Sequence, residues 1–271
     1  MSRKYLYYPG CTLKTKAKKL DAYAISSMKF LGIDFEEFDE WQCCGAVYSQ
    51  ATDEIATRLS SVRVLDEARR NQCEVLTLCS ACHHVIKRVN HDMSSNADIR
   101  DKVNNYSEFE VPYNGEVKVV HFLEMLRDFV GFDELKKQVV RPLTGLRIGA
   151  YYGCLLLRPG STMKFDDPEN PAIMEDFIRA IGATPVIYSY RNECCGGYVA
   201  LDDKKLVQGL CKKIVDSSSE KAAQALVMAC PLCKYNLNEN GPKSELPLYY
   251  FTELLARALG VDDGEETHGN G

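Results

Sequence analysis

Ten of the chain's 12 cysteines fall into one pattern that is used twice: a lone cysteine, a vicinal Cys-Cys-Gly, then Cys-x-x-Cys. Cys11, Cys43, Cys44, Cys79 and Cys82 make the first copy, and Cys154, Cys194, Cys195, Cys230 and Cys233 the second. One offset of 151 residues carries Cys43, Cys44, Cys79 and Cys82 onto Cys194, Cys195, Cys230 and Cys233. The leading cysteine is offset by 143, so the second copy holds eight extra residues before its vicinal pair. The Pro-, Gly- and Asp-rich stretch 158–171 is where they fit. Cys73 and Cys211 have no counterpart and read as small buried hydrophobes.

Five thiols per copy narrow the chemistry. A structural zinc takes four tetrahedral ligands, usually as two Cys-x-x-Cys-type pairs, and adjacent cysteines are awkward as two ligands of one ion. A polynuclear cluster, with irons spread over a few ångströms, uses a vicinal pair more naturally. A thioredoxin-like dithiol at Cys79/Cys82 or Cys230/Cys233 would leave the other repeated cysteines without a role. Ordinary ferredoxin ligation, three closely spaced cysteines with a fourth beside proline, is absent, so electrons must arrive from elsewhere. Gly45 and Gly196, each directly after a vicinal pair, permit a tight turn or a close backbone approach to a cofactor.

The elements that must position these thiols read as two similar halves. Strand-like Lys4–Tyr8 leads to Cys11 in a loop. A helix with Leu20, Tyr23, Ala24, Met28 and Leu31 on one face ends at Gly32. A strand over Ile33–Phe38 leads to Cys43, a helix carries Ile55, Leu59, Val62 and Leu65, and a strand over Glu74–Leu78 delivers Cys79. The second half repeats the order: strand Arg147–Tyr151, helix Met174–Ile181, strand Pro185–Tyr188, helix Lys204–Ser217, strand Ala225–Ala229. Tyr7-Tyr8-Pro9-Gly10-Cys11 echoes Tyr151-Tyr152-Gly153-Cys154, and Phe122-Leu123-Glu124 echoes Phe251-Thr252-Glu253. All six cysteine groups thus follow carboxyl ends of strands, where loops of an open parallel sheet gather and ligands bind. With neighbouring strands about 5 Å apart, three adjacent loops can bring five sulfurs together. The expected architecture is α/β: two tandem, pseudo-symmetric α/β domains with small, mainly parallel sheets and clusters at the strand carboxyl edges. The boundaries are 1–141 and 142–261, joined near Val140–Gly145, with an acidic, Gly-rich and disordered tail over 262–271.

Bulk properties exclude other classes. The chain has 271 residues, 45% hydrophobic, and a formal net charge of −5. A pI near 5.6 gives no footprint for nucleic acid. No apolar run is long enough to span a bilayer, and the N-terminus lacks the apolar core and cleavage site of a signal peptide. These features point to the cytoplasm, where cysteines stay reduced and act as metal ligands or redox centres.

The doubled motif resembles the tandem cysteine-rich "CCG" domains found in the B subunits of heterodisulfide reductases. The likeness spans nearly the whole chain, including Pro9-Gly10-Cys11, Arg141-Pro142-Leu143, Tyr152-Gly153-Cys154 and the closing Leu254-Leu255 helix. The resemblance implies two non-cubane [4Fe-4S] clusters, each ligated by the five cysteines of one copy. It implies reduction of a small-molecule disulfide such as coenzyme M–coenzyme B, in two one-electron steps at paired clusters facing one substrate site. Implied partners are a ferredoxin-like and a flavin-bearing subunit, in electron-bifurcating complexes with a hydrogenase or formate dehydrogenase. Methanogen members of the family often carry His directly after the Tyr-Gly-Cys cysteine, where this chain has Leu155. His83 and His84 are candidates to supply protons instead, against the plainer reading that they open a helix and face solvent or core. His121, at a strand end, reads as structural. Arg158, Lys164 and Arg191 near the second-site loops could hold an anionic substrate, or serve as surface charge. The alternative function is a non-catalytic electron-transfer or docking CCG subunit of another oxidoreductase complex.

Overall fold

The computed structural model describes residues 3–46 and 53–262; all of the expected tail except Asp262 lies outside them. Both sheets are four-stranded and wholly parallel. In the first half the elements are β1 (Tyr5–Tyr8), α1 (Gly10–Lys14), α2 (Lys18–Phe30), β2 (Phe35–Glu37), α3 (Ala56–Arg70), β3 (Glu74–Thr77), α4 (Ser80–Ser95), α5 (Ala97–Ser107), β4 (Val119–His121) and α6 (Phe122–Met125). A π-helical turn, Leu126–Val130, and α7 (Phe132–Gln138) lead across to the second half. There β5 (Arg147–Tyr151), α8 (Gly160–Met163), α9 (Ile173–Ala180), β6 (Thr184–Val186), α10 (Lys204–Glu220), β7 (Ala225–Met228), α11 (Pro231–Asn240), β8 (Leu248–Tyr250) and α12 (Phe251–Leu259) repeat the plan.

The strand orders are β2-β1-β3-β4 and β6-β5-β7-β8. In each sheet the first strand lies at the centre, flanked by the other two cysteine-bearing strands, so the three cysteine loops are adjacent. The order reverses between the first and third strands, the crevice in which open parallel sheets bind ligands. β1 and β7 are buried along their whole length, as expected for parallel strands covered on both faces. The fourth strands, β4 and β8, are only three residues long and were not expected as separate elements. Cys11 does not lie in a loop, because β1 is followed at once by the short helix α1, which contains it.

The halves share one core. A continuous set of buried apolar side chains runs from Tyr5 and Leu13 through Phe122 and Phe177 to Phe251 and Leu259. The closing helix of each half packs on the other: α12 lies on α2, while α6 and α7 lie on α9. The Thr252 hydroxyl donates to the Leu20 carbonyl (2.9 Å) across that contact. The stretch that accommodates the insertion includes α8, which packs on α4, and is pinned by Arg127, whose Nη1 donates to the Phe165 carbonyl (2.8 Å). No helix among the described residues is long and apolar enough to cross a membrane.

Candidate metal centre

All twelve cysteines carry free thiols. In the first set Cys11 and Cys43 lie 3.8 Å apart, sulfur to sulfur, and Cys44 and Cys82 3.4 Å apart. The second set repeats this pairing: Cys195 and Cys233 are 3.6 Å apart, and Cys154 shares a hydrogen bond with Cys194. All five thiols of the second set line one small pocket of about 20 Å³, joined by Ser80 from the first half. Among the described residues no three metal-binding side chains converge as ligands of one ion do; the sulfurs are strung out instead, Cys82 bonded to both Cys44 and Cys79 and Cys233 to both Cys195 and Cys230. A soft donor set of five sulfurs spread in this way fits a polynuclear iron–sulfur group better than a single tetrahedral ion.

Local structure explains how these thiols are held. Cys79 and Cys230 occupy the N-cap positions of α4 and α11, and Cys82 and Cys233 sit in the first turns. The partial positive charge of a helix N-terminus favours thiolate, and Pro231, already fixed in φ, starts α11. Gly45 and Gly196 both adopt the left-handed conformation, φ +78° each, so each vicinal pair ends in a turn that side chains disfavour. Two other glycines were missed. A Cβ on Gly10 (φ +74°) would lie 2.7 Å from Cys82 Sγ, and one on Gly153 (φ +64°) 3.3 Å from Cys233 Sγ. The repeated Gly-Cys step was the signal that could have found them.

Two tyrosines were missed in the same way. The Tyr8 hydroxyl donates to the Gln42 carbonyl (2.5 Å) and the Tyr151 hydroxyl to the Glu193 carbonyl (2.9 Å). Gln42 and Glu193 directly precede the vicinal pairs, so each tyrosine anchors that loop to the central strand.

In the pairs Cys44/Cys82, Cys194/Cys154 and Cys195/Cys233 one proton is held loosely and the other tightly. Cys44 is lowered to about 7, first through its hydrogen bond with Cys82, whereas Cys82 is raised. Cys194 falls to about 6 through its hydrogen bond with Cys154, which rises. Burial pushes Cys43 up to about 11. Cys230 is drawn down by hydrogen bonds with Cys233 and with Cys79, which belongs to the other set.

The two sets therefore meet. Ser80 donates to the Ala229 carbonyl from its hydroxyl (2.7 Å) and its amide (3.3 Å). The Tyr250 hydroxyl donates to the Leu78 carbonyl (2.6 Å) and reaches that of Ala229 (3.4 Å). His121 Nε2 donates to Leu78 as well (2.7 Å), while its Nδ1 accepts from the Leu123 amide (3.3 Å). Leu78 and Ala229 directly precede Cys79 and Cys230, so this buried knot fixes one Cys-x-x-Cys turn against the other.

The histidines separate by position. His83 is fully buried, with Nδ1 3.0 Å from Thr77 Oγ1 and Nε2 3.4 Å from Glu124, and burial lowers its pKa well below the usual value. Lys234 stands at the equivalent place after Cys233 and pairs with Glu253, so this position braces the capping glutamate of α6 or α12. His84 lines an open cleft of about 360 Å³ between the halves, together with Cys44, Arg58, Arg88 and Leu155. Its Nδ1 lies 2.9 Å from the Leu155 carbonyl. His121 is the structural residue expected. Arg158 and Arg191 are engaged in holding the insertion: Arg158 donates to Asn192 and Glu169 (2.9 and 3.1 Å), and buried Arg191 to Asn170 (2.6 Å). Lys164 caps α8 in a left-handed turn. Cys73 and Cys211 are buried, and Cys211 contacts the Cys195 carbonyl (3.6 Å) without joining the sulfur pairs.

Comparison with known proteins gives matches over the same segments. A model of a cysteine-rich domain, CCG, matches residues 5–87 and again 148–238. The chain is 30% identical to the 8-methylmenaquinol:fumarate reductase membrane anchor subunit of Wolinella succinogenes, over 96% of this chain and 94% of that one. It is 25% identical to the B subunit of the ferredoxin:CoB-CoM heterodisulfide reductase of Methanosarcina mazei, over 93% and 87%. A hypothetical protein from Helicobacter pylori shares the fold, with a TM-score of 0.73 at 12% identity over 99% of this chain. The chain spans about half, 52%, of that structure's length.

Proposed function

Because the chain belongs to the cysteine-rich CCG-domain family, in the tandem form shared with proteins named as B subunits of heterodisulfide reductase, we propose that it is the disulfide-reducing subunit of a larger redox complex. Cys11, Cys43, Cys44, Cys79 and Cys82 hold one non-cubane [4Fe-4S] cluster, and Cys154, Cys194, Cys195, Cys230 and Cys233 the other. The observation that carries this reading is the repeated sulfur pairing: the same members of each set stand together in both halves, and the second five ring one pocket. When bound, such clusters supply single electrons and an open iron for sulfur, which spares the reaction a free thiyl radical. The protein's part is to hold the two sets at a fixed separation through Tyr250, His121 and Ser80. The cleft between the halves admits the disulfide, and His84, not the enclosed His83, is the imidazole in reach of it. Electrons come from a ferredoxin-like and a flavin-bearing subunit, in a complex with a hydrogenase or formate dehydrogenase, in the cytoplasm.

Anaerobic purification tests the cofactor: about eight irons and matching sulfide per chain are expected for two four-iron clusters, and zinc without iron would sink the reading. Turnover of a disulfide panel with reduced viologen tests the activity. A second reading, electron transfer without a substrate of its own, is favoured by the likeness to the fumarate reductase subunit. It predicts iron loading with no disulfide turnover and no paramagnetic signal on adding thiols to the oxidised protein.

A further inference from the structure

The small pocket inside the second cysteine set and the open cleft between the halves are neighbours, and Leu155 and Tyr198 line both. We propose that Tyr198 is the specificity-determining residue of this molecule, a movable wall that a ligand entering from the cleft must pass and hydrogen-bond on its way to the second set. The proposal rests on the reading in which that set holds the reacting centre.

The two residues of the wall are held differently. Leu155 is fixed, half-buried against the core of the first half with its carbonyl taken by His84 (2.9 Å). Tyr198 is not. It sits on a single 3-10 turn, Gly197–Val199, entered through Gly196 in the left-handed conformation. Two consecutive glycines before it leave the backbone free to swing. Its side chain is 41% exposed, and its hydroxyl has no hydrogen-bond partner among the described residues. Cysteines of both sets, Cys230 and Cys154 with Cys44 and Cys79, lie near enough for their charge to act on the phenol. A phenol keeps its proton to about pH 10, so the hydroxyl is a neutral donor at neutral pH. The ligand it selects is a slender one that presents an acceptor atom beside its reacting group. Three residues after the vicinal pair, where the second half has Tyr198, the first half's sequence has Val47.

Two variants separate ring from hydroxyl, and both change a partly exposed turn residue. The full chain, reduced and anaerobic, is treated with small iodoacetamide and with a bulky maleimide dye, and labelling of Cys154 and Cys230 is followed by peptide mass spectrometry. Tyr198→Ala is expected to speed labelling by the bulky reagent about tenfold with little change for the small one, since access controls thiol reactivity. Tyr198→Phe should label like the parent. In the iron-loaded protein, Tyr198→Phe is expected to raise KM for a disulfide about fivefold with kcat little changed, the loss of one donor. Labelling of Tyr198→Ala at parental rates with both reagents overturns the proposal, whatever the turnover. If Tyr198→Ala opens the pocket but no disulfide is turned over by the parent protein, the gate stands and the proposed reaction falls.

Discussion

At the residue scale, the two Gly-Cys steps are the sharpest test of how tightly the thiols are packed. Gly10 and Gly153 play the same part in the two halves, but their surroundings differ: an added methyl would stand 2.7 Å from Cys82 Sγ in one case and 3.3 Å from Cys233 Sγ in the other. The first distance is closer than carbon and sulfur can approach, so Cys82 must move. The second needs only a small shift. Both replacements also force alanine into the left-handed region, which costs about 1–2 kcal/mol. On the proposed reading of one cluster per cysteine set, Gly10→Ala is therefore expected to lose about half of the bound iron, that of the first set, and about 2–4 kcal/mol of stability. Gly153→Ala should keep most of its iron and lose about 1–2 kcal/mol. Iron analysis beside urea unfolding checks this; equal iron loss in the two variants would show that the methyl contact is not what matters.

At the element scale, the decisive arrangement is a parallel sheet whose central strand carries the lone cysteine and whose two neighbours carry the rest. That much was legible in the sequence, because a constant spacing between cysteines survives only if the intervening strand–helix units are kept. The parallel α/β class, the adjacency of the three loops and the structural reading of His121 all follow from it. Other features left no trace. β4 and β8 are three residues long, too short for a period-two pattern to show. The contact between Cys79 and Cys230 depends on how one half docks on the other, which no local pattern encodes. His84 meeting the carbonyl of Leu155 is likewise a product of docking, 71 residues apart in sequence. The knot at that junction gives a prediction at this scale. Tyr250→Phe removes one buried hydroxyl yet leaves Leu78 bonded by His121 and Ala229 by Ser80. Stability should fall by about 1–2 kcal/mol. If each cysteine set holds a cluster, as proposed, the magnetic interaction between the two in the reduced, iron-loaded protein should change measurably as their sulfur ligands shift. An unchanged spectrum would assign Tyr250 to stability alone.

At the scale of the whole molecule, the exchanged packing of closing helices makes the two halves one folding unit. Phe251 is fully buried at the junction, edge-on to Phe122 (5.9 Å between centroids) and Phe177 (6.2 Å) and beside His121 (5.7 Å). Phe251→Ala should lower stability by about 3–5 kcal/mol while leaving a single unfolding transition; two separated transitions would mean that the halves unfold independently.

The same junction couples folding to acidity. Burial lowers His121 to about 3, and its two ring bonds, Nε2–H to Leu78 and Nδ1 from Leu123, are those of a neutral imidazole. In the unfolded chain this group takes up a proton near pH 6.5, but in the folded chain it does not until about pH 3. The stability it contributes is therefore complete above pH 6.5 and is lost progressively as the pH falls from there toward 3. At pH 5 the loss from His121 is about 2 kcal/mol, and His83, lowered in the same direction, adds to it. Glu124 and Glu175 are raised by burial and oppose the trend, because the folded state then holds their protons more firmly. Comparison with His121→Gln isolates one contribution from the others, since a glutamine amide can still donate to the Leu78 carbonyl but cannot titrate. Urea unfolding of the metal-free chains at pH 7 and pH 5 should show the variant losing about 2 kcal/mol less than the parent over that interval. An identical loss in both would mean that the junction opens to water in acid before the chain unfolds, and that the two halves are docked less firmly than their shared core implies.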